Sequence, residues 1–375
     1  MILPSVKDQK SLMKRGIAIF LLPALFWLAA CKKMVTTQSS LSPAVADSAA
    51  VYVAGGLFET NPATGQQVVR AICWKNGAPT MLTSTGSSFA TCIALSGSDV
   101  YVGGMLATGN SSDIAAYWKN GNVVQLTDGS ANARVNAIAV DGTDVYAVGS
   151  ITGANGLPVA TCWKNGMQTT LASDTFYSGA NGIAISGNDV YVAGQLMDLR
   201  SDASTVIVWK NGVAQAYTFY PFSYATCVAV ADSDLFLGGT GNLGDGSGNT
   251  VTCWKNYAPE YWATSSNGVQ VNALAVSGSD VYAAGNTGGF GNNLMAHYWK
   301  NGQQMPLSGF VDNGYASGIA INGQDVYIAG GTDNSTGNDL ALYWKNGVPV
   351  VLSNGTDSSG LYANAIAIEA APRAY

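Results

Sequence analysis

The four residues Trp74-Lys75-Asn76-Gly77 return at Trp118, Trp163, Trp209, Trp254, Trp299 and Trp344, in steps of 44, 45, 46, 45, 45 and 45 residues. Seven copies of one motif at a nearly fixed period confine the chain to a repeat architecture. A second signal keeps the same beat: an Asp-Val-Tyr-like triplet ends at Tyr101, Tyr146, Tyr191, Phe236, Tyr282 and Tyr327, with Val51-Tyr52 as an incomplete first copy. Asn-Gly is the preferred pair of a two-residue type I′ hairpin, because both positions need positive φ. The motif therefore reads as a turn between two strands, its Trp as apolar bulk between neighbouring units. The lysine beside the turn reads as a solvated charge.

One unit, from Ala90, runs ATCIALSG, SDVYVGG, a variable stretch, IAAYWKNG, NVVQL and a second variable stretch. Glycine fills 45 of 375 positions, charged residues make up 11%, and no helical periodicity follows residue 50. Four short β-rich runs per repeat predict an all-β, seven-bladed propeller with four antiparallel strands, a to d, in each blade. The first copy begins at strand b with Val51, and the last is followed by an orphan strand a, Ala363 to Ile368. Joining that C-terminal strand to the N-terminal three completes blade one and removes an open edge. The Asp that opens strand b, as in Ser96-Gly97-Ser98-Asp99, is expected to cap the a–b turn. Strand b closes on a glycine in every copy (Gly55, Gly104, Gly149, Gly194, Gly239, Gly285, Gly330), a mark of a bend or close backbone approach. Blade five carries Asn256-Tyr257 in place of Asn-Gly; Tyr tolerates positive φ badly, so this turn is expected to change type or length.

The runs VYVAGG and VYIAGG resemble strand two of kelch repeats and, through them, propellers of the galactose-oxidase type. The likeness covers that strand alone, and the kelch spacing of Tyr and Trp is absent, so kelch partners and oxidase chemistry do not transfer. At the N-terminus, Lys7, Lys10, Lys14 and Arg15 precede an apolar run, Gly16 to Ala30, that ends in Leu28-Ala29-Ala30-Cys31. The run is short for a membrane span and right for a secretory h-region. Its end resembles the lipobox of bacterial lipoproteins. That resemblance implies a signal peptide over residues 1–30, cleavage before Cys31 and acylation there. A polar tether over 31–49 and the propeller over 50–375 follow. Lys32 stands where enteric lipoproteins carry an inner-membrane retention aspartate, so the resemblance places the lipid anchor in the outer membrane.

Removing Asp8 from 23 acidic residues, and the six cations of the leader and Lys32-Lys33 from 17, leaves 22 against 11. A net charge near −11 argues against nucleic acid or anionic lipid as partner of the folded part. Cys73, Cys162 and Cys253 share one repeat position, and Cys92 and Cys227 another. Equivalent positions in different units lie far apart, so these read as small buried hydrophobes rather than disulfides. His297, the single histidine, fills a slot held elsewhere by Ile72 or Ala116 and reads as a packed strand residue. No multi-histidine copper or zinc site can be assembled around it, nor a Ser-His-Asp triad with a nucleophile elbow. Carboxylates at Asp113, Asp198, Asp202, Asp245, Asp333 and Asp339 leave glycoside cleavage open, or calcium in the Asp333–Asp339 loop. No other cofactor is implied.

Short a–b and c–d turns share one face of such a disc, and the variable b–c and d–a loops the other, which is the usual division between scaffold and function. Three residues before a small slot in strand a stand Phe89, Arg134, Gly179, Tyr224, Gln270, Tyr315 and Tyr362, expected around the mouth of the central channel. Blade four adds Tyr217, Phe219, Tyr220 and Phe222; blade five adds Tyr257, Tyr261 and Trp262. Such rings suit sugars or peptide side chains, or simply cover blade ends. Beside the small slot runs a polar series, Thr91, Asn136, Asn181, Thr226, Asn272, Ser317 and Asn364, expected to bond loop backbone or ligand. The sequence thus predicts a monomeric binding module for glycan or protein. A carbohydrate-active lyase or hydrolase and a purely structural surface protein are the competing classes.

Overall fold

Every Asn of the repeated motif lies in the left-handed region, with φ of 48–51°, and so does the residue after it, at 70–82°. Each pair closes a two-residue hairpin between strands c and d, with Lys75 opposite Ala78 and Lys119 opposite Asn122. Blade five keeps the same turn, with Tyr257 at φ 70°, so the expected change of type or length does not occur. A left-handed non-glycine residue costs roughly 1–2 kcal/mol. Packing offsets it: the Tyr257 ring lies against the buried cluster shared with blade four, and its hydroxyl donates to Gln215 Oε1 at 3.3 Å.

The computed structural model describes residues 49–60, 65–108, 112–200, 203–217, 223–242, 249–265, 269–289, 292–309, 313–333, 339–353 and 360–369. The chain divides into two units, 1–43 and 44–375; the expected leader, Cys31 and the tether up to residue 48 lie outside the described residues. The described residues form seven antiparallel sheets of four strands and no helix. Blade two is typical, with a at Ser87–Ser96, b at Asp99–Ala107, c at Asp113–Lys119 and d at Asn122–Gln125. Blade one takes its strand a, Leu361–Glu369, from the C-terminal end, and its b, c and d, Ala50–Thr60, Gln67–Lys75 and Ala78–Met81, from the N-terminal end. That clasp pairs Val51 with Ile368 and Leu57 with Leu361.

The seven motif tryptophans are the largest fully buried side chains, each no more than 1% exposed. Each wedges against the preceding blade: Trp118 packs with Tyr52 and Ala54 of blade one, Trp74 with Tyr327 and Tyr343 of blade seven. Truncating a buried ring of this kind costs about 3–5 kcal/mol.

The Asp that opens strand b does not cap its own turn. Its carboxylate reaches the neighbouring hairpin, where Asp99 Oδ1 accepts from Asn120 Nδ2 at 2.7 Å and Oδ2 meets Lys119 Nζ at 2.8 Å. Asn120 Oδ1 in turn accepts from the Val100 amide at 2.8 Å, and Lys119 lies 5.1 Å over the Tyr101 ring. The lysine is therefore bound into the hairpin rather than simply solvated. In blade one Ala50 stands where the Asp would be, and Glu369 of the clasp strand takes over: it accepts from the Tyr52 hydroxyl at 3.0 Å and faces Lys75 at 4.0 Å.

Candidate functional site

Strand a of every blade faces the axis, and in every blade its ladder to strand b skips one residue. The skipped residues are Thr91, Asn136, Asn181, Thr226, Asn272, Ser317 and Asn364, the polar series of the sequence. A bulge leaves its extra residue outside the ladder and re-aims the side chain. Each of the seven donates to a main-chain carbonyl on strand a of the next blade, rather than to the loop backbone expected. Thr91 Oγ1 bonds Val135 at 2.7 Å, Asn136 Nδ2 bonds Ala180 at 2.9 Å, and Asn181 Nδ2 bonds Ala225 at 2.8 Å. Thr226 Oγ1 bonds Val271 at 2.6 Å, Asn272 Nδ2 bonds Ala316 at 2.7 Å, and Ser317 Oγ bonds Ala363 at 2.7 Å. Asn364 Nδ2 returns to Ala90 at 2.7 Å and closes a belt of seven hydrogen bonds.

The bulge also explains the glycine of strand b, which lies inside the strand rather than at its end. A methyl group on Gly104 would overlap the Phe89 carbonyl oxygen, and one on Gly330 would overlap that of Tyr315. The small slot after each bulge faces the neighbouring strand a. A Cβ on Gly182 would stand 2.8 Å from Cys227 Cα, and one on Gly318 3.0 Å from Ala365 Cα. Cysteine is the largest residue admitted there. Burial pushes the thiols of Cys92 and Cys227 up to about 12, that of Cys73 to about 12 and that of Cys162 to about 11. Cys73, Cys92, Cys162, Cys227 and Cys253 are all free thiols, packed as small hydrophobes. Belt, slot and the aliphatic residue after the slot wall an axial cavity of about 240 Å³, without a charged group among its lining residues.

The positions expected at the channel mouth do not line this cavity. Each pairs across the ladder with the residue that follows the strand-b glycine: Phe89 with Met105, Arg134 with Ser150, Tyr224 with Thr240, Gln270 with Asn286, Tyr315 with Gly331, Tyr362 with Gly56. In blades one and seven, bulk on one strand answers its lack on the other. The Tyr362 ring covers Gly56, is 9% exposed and tilts against Phe58 at 5.3 Å between centroids. Tyr315 covers Gly331 in the same way, and burial with the nearby Asp339 charge drives its phenol upward. In blade four the sizes are reversed: Gly179 faces Gln195, whose Oε1 accepts from Asn181 at 3.0 Å. Burial raises Tyr224 as well, with a hydrogen bond to Thr240 acting against it.

Trp262 is elsewhere. It is a bulged residue of strand d in blade five, Ala258–Ser265, and its ring packs against Gly302 in the hairpin of blade six. Tyr257 sits in the hairpin of its own blade. The side chains of Tyr217, Tyr261 and Asp333, together with Asp202, Phe219, Tyr220, Phe222, Asp245 and the loop between Asp333 and Asp339, lie outside the described residues. His297 is a strand residue engaged at both ring nitrogens, Nε2 with Thr287 Oγ1 at 2.8 Å and Nδ1 with Gln304 Nε2 at 2.9 Å; burial lowers its pKa.

Charge separates one sector from the rest. Of ten described lysines and arginines, the seven motif lysines pair with acids and Arg70 pairs with Glu59. Arg134 and Arg200 form no ion pair among the described residues, and both stand on the variable face, in blades three and four. Arg134 lies within the field of Asp113, at the start of strand c in blade two, and of Tyr177, at the start of strand a in blade four. Burial pushes the Asp113 carboxyl up, against the pull of Arg134, whereas Asp99 and Asp144 are held down by hydrogen bonds from Lys119 and Lys164. Tyr177 and Arg200 were not singled out by pattern. A signal for Arg200 existed: every lysine after residue 33 belongs to the repeated motif, so arginines at Arg70, Arg134, Arg200 and Arg373 are the cations free to vary.

No protein-family model matches the chain, and no curated protein resembles it in sequence. Solved structures do resemble it in fold. The β-propeller domain of the Trilobed protease from Pyrococcus furiosus, described as having an open velcro topology, aligns with a TM-score of 0.54 at 13% identity, over 82% of this chain and 93% of that one. A puromycin-hydrolyzing peptidase of Mycobacterium tuberculosis aligns with a TM-score of 0.54 at 12% identity, over 84% of this chain. The acylaminoacyl peptidase of Pyrococcus horikoshii aligns with a TM-score of 0.51 at 12% identity, over 85% of this chain. The chain spans about half the length of these two peptidases, 52% in each case. At such identities the likeness is one of fold: a propeller, here closed by a strand exchanged between the chain ends.

Proposed function

We propose that this protein is a non-catalytic recognition module of the cell envelope, held by lipid on Cys31, whose variable face engages a glycan. The observation that carries the reading is the inequality of the two faces. All thirteen a–b and c–d turns contain two residues, whereas b–c and d–a connections range from two, between Gly289 and Asn292, to nine, between Val351 and Leu361. Connections that vary while the strands they join repeat are where binding diversifies. Exposed Phe176, next in sequence to Tyr177, together with Arg134 supplies the mixture of an apolar face and directed hydrogen bonds that sugars need. The membrane address rests on the lipobox resemblance alone.

A glycan array probed with the full chain tests the reading, with a variant in which residues 171–176, which lead from strand d of blade three into Tyr177 of blade four, are replaced by the corresponding connection of blade two, residues 126–132. Retention of one glycan class by the wild type, and its loss in the variant, is the expected result. Wild-type protein that binds no glycan rejects it. A second reading, a carbohydrate-active enzyme, is favoured by the raised carboxyl of Asp113, since acid catalysis uses such groups. Release of new reducing ends or unsaturated sugars, abolished by Asp113→Asn, would establish it.

A further inference from the structure

We infer that the recognition site is centred on Arg134, at the rim of blades two to four, and that it takes a carboxylate-bearing saccharide, a uronic-acid unit of an acidic glycan. The inference rests on the proposed glycan-binding function and assigns its site and ligand class. Seven cross-strand pairs occupy the same height around the ring, and four of them complete themselves. Tyr362 and Tyr315 lie over glycines, Gln195 fills the space beside Gly179, and Tyr224 bonds Thr240. Arg134 faces Ser150, a small residue 7% exposed, and its guanidinium has neither an ion pair nor a hydrogen bond among the described residues. A planar fork of five N–H donors left unbonded among the described residues matches a carboxylate bidentately.

The surroundings suit a sugar acid better than an isolated anion. Asp113 from blade two lies close enough to Arg134 to feel its charge without pairing to it, so a gap separates donor from acceptor. A pyranose carboxylate on Arg134 would leave a ring hydroxyl to donate to Asp113. Half-buried Tyr177, which feels the Arg134 charge, and exposed Phe176 before it bring aromatic side chains from blade four to this sector. Arg200, the other cation without an ion pair, lies beyond the end of strand b in that same blade, Asp189–Asp198. The net negative charge of the folded part does not oppose this. Ionic screening at physiological salt acts over about 8 Å, so contact with one carboxylate depends on the local fork rather than on the net charge.

The test is isothermal titration of the full chain with oligouronates, namely galacturonate, glucuronate and mannuronate tetramers, with their neutral hexose counterparts, and with an Asp/Glu-rich peptide. One oligouronate is expected to bind. Arg134→Gln should weaken it roughly tenfold or more, as loss of a hydrogen bond to a charged group requires, and Arg134→Lys by less. Lys210→Gln, on the scaffold face and paired with Asp189, should leave it unchanged. Thermal unfolding of each variant guards against misfolding. Equal affinity for uronates and neutral oligomers, tighter binding of the peptide, or indifference to Arg134→Gln would overturn the inference. Binding of neutral glycans alone would overturn it and leave the broader function standing; binding of no glycan would overturn both.

Discussion

The two faces of the disc are built from the same strands and obey different rules. On one, each hairpin is two residues long, each Asn adopts the same left-handed φ, and each lysine finds an acid supplied by a neighbouring strand. That holds even in blade one, where the chain ends interrupt the pattern and Glu369 supplies the carboxylate. On the other face connection lengths vary, cross-strand pairs change from blade to blade apart from the Tyr–Gly pairs of blades one and seven, and two arginines form no ion pair among the described residues. The difference teaches where ring closure exerts its demand. Tryptophan wedges and the axial belt require equal blades, and the tight-turn face transmits that equality; strand ends on the far face join only after the wedge is complete.

The comparison can be attacked in order of expected effect. Removing residues 361–375 deletes Leu361, Ala363 and Ile366 from the core and leaves three strands in blade one. Thermal unfolding should then lose its single cooperative transition, at a cost above about 5 kcal/mol; an unchanged melting temperature would reject the clasp. Next, Gly104→Ala drives a methyl into the Phe89 carbonyl and should cost on the order of 3 kcal/mol in urea unfolding. Gly121→Ala, at φ 82° with open space around it, should cost only about 1–2 kcal/mol. Equal costs would mean that the bulge does not hold strands a and b so close.

Titration gives opposite signs on the two faces. Asp144 is held below the unfolded carboxyl value of about 4, first by Lys164 and then by Asn165, so its contribution is complete above that value and fades as pH falls through the folded one. Asp113 is raised by burial, so its ionisation opposes folding at neutral pH, and that opposition disappears as pH falls through its raised value. Melting temperatures from pH 2 to 8 should therefore show Asp144→Asn less stable than wild type at pH 7, with the difference shrinking as the pH falls toward 2. Asp113→Asn should be at least as stable as wild type at pH 7. Smallest in stability is Arg134→Gln, expected within about 0.5 kcal/mol of wild type while binding falls.

Blade count, strand order, clasp and hairpin chemistry were legible because each leaves a periodic residue: Trp for the wedge, Asn-Gly for positive φ, an orphan strand at the C-terminal end. The belt was half legible. Its members stand out at Thr91 and its six equivalents, but a single sequence does not reveal that the residue is skipped in the ladder and therefore turned toward the next blade. Blade five misled for a different reason: the backbone rule against Tyr257 at positive φ is local, whereas the contact with blade four that overrides it is tertiary. The rim tyrosines were legible as a series but not as lids, because Gly56 and Gly331, which they cover, belong to another strand. The Arg134 sector is written in an absence of partners, which only the fold exposes.

The pairing of Ala50 with Glu369 has a mechanical consequence. Strand b starts and strand a ends at the tight-turn face, so the chain enters and leaves the ring on the side opposite the variable connections. Force applied at Ala49 would act along the axis of strand b, loading its ladders to both neighbours in shear rather than peeling them one bond at a time. Mechanical resistance, like closure, then follows from where one blade was cut.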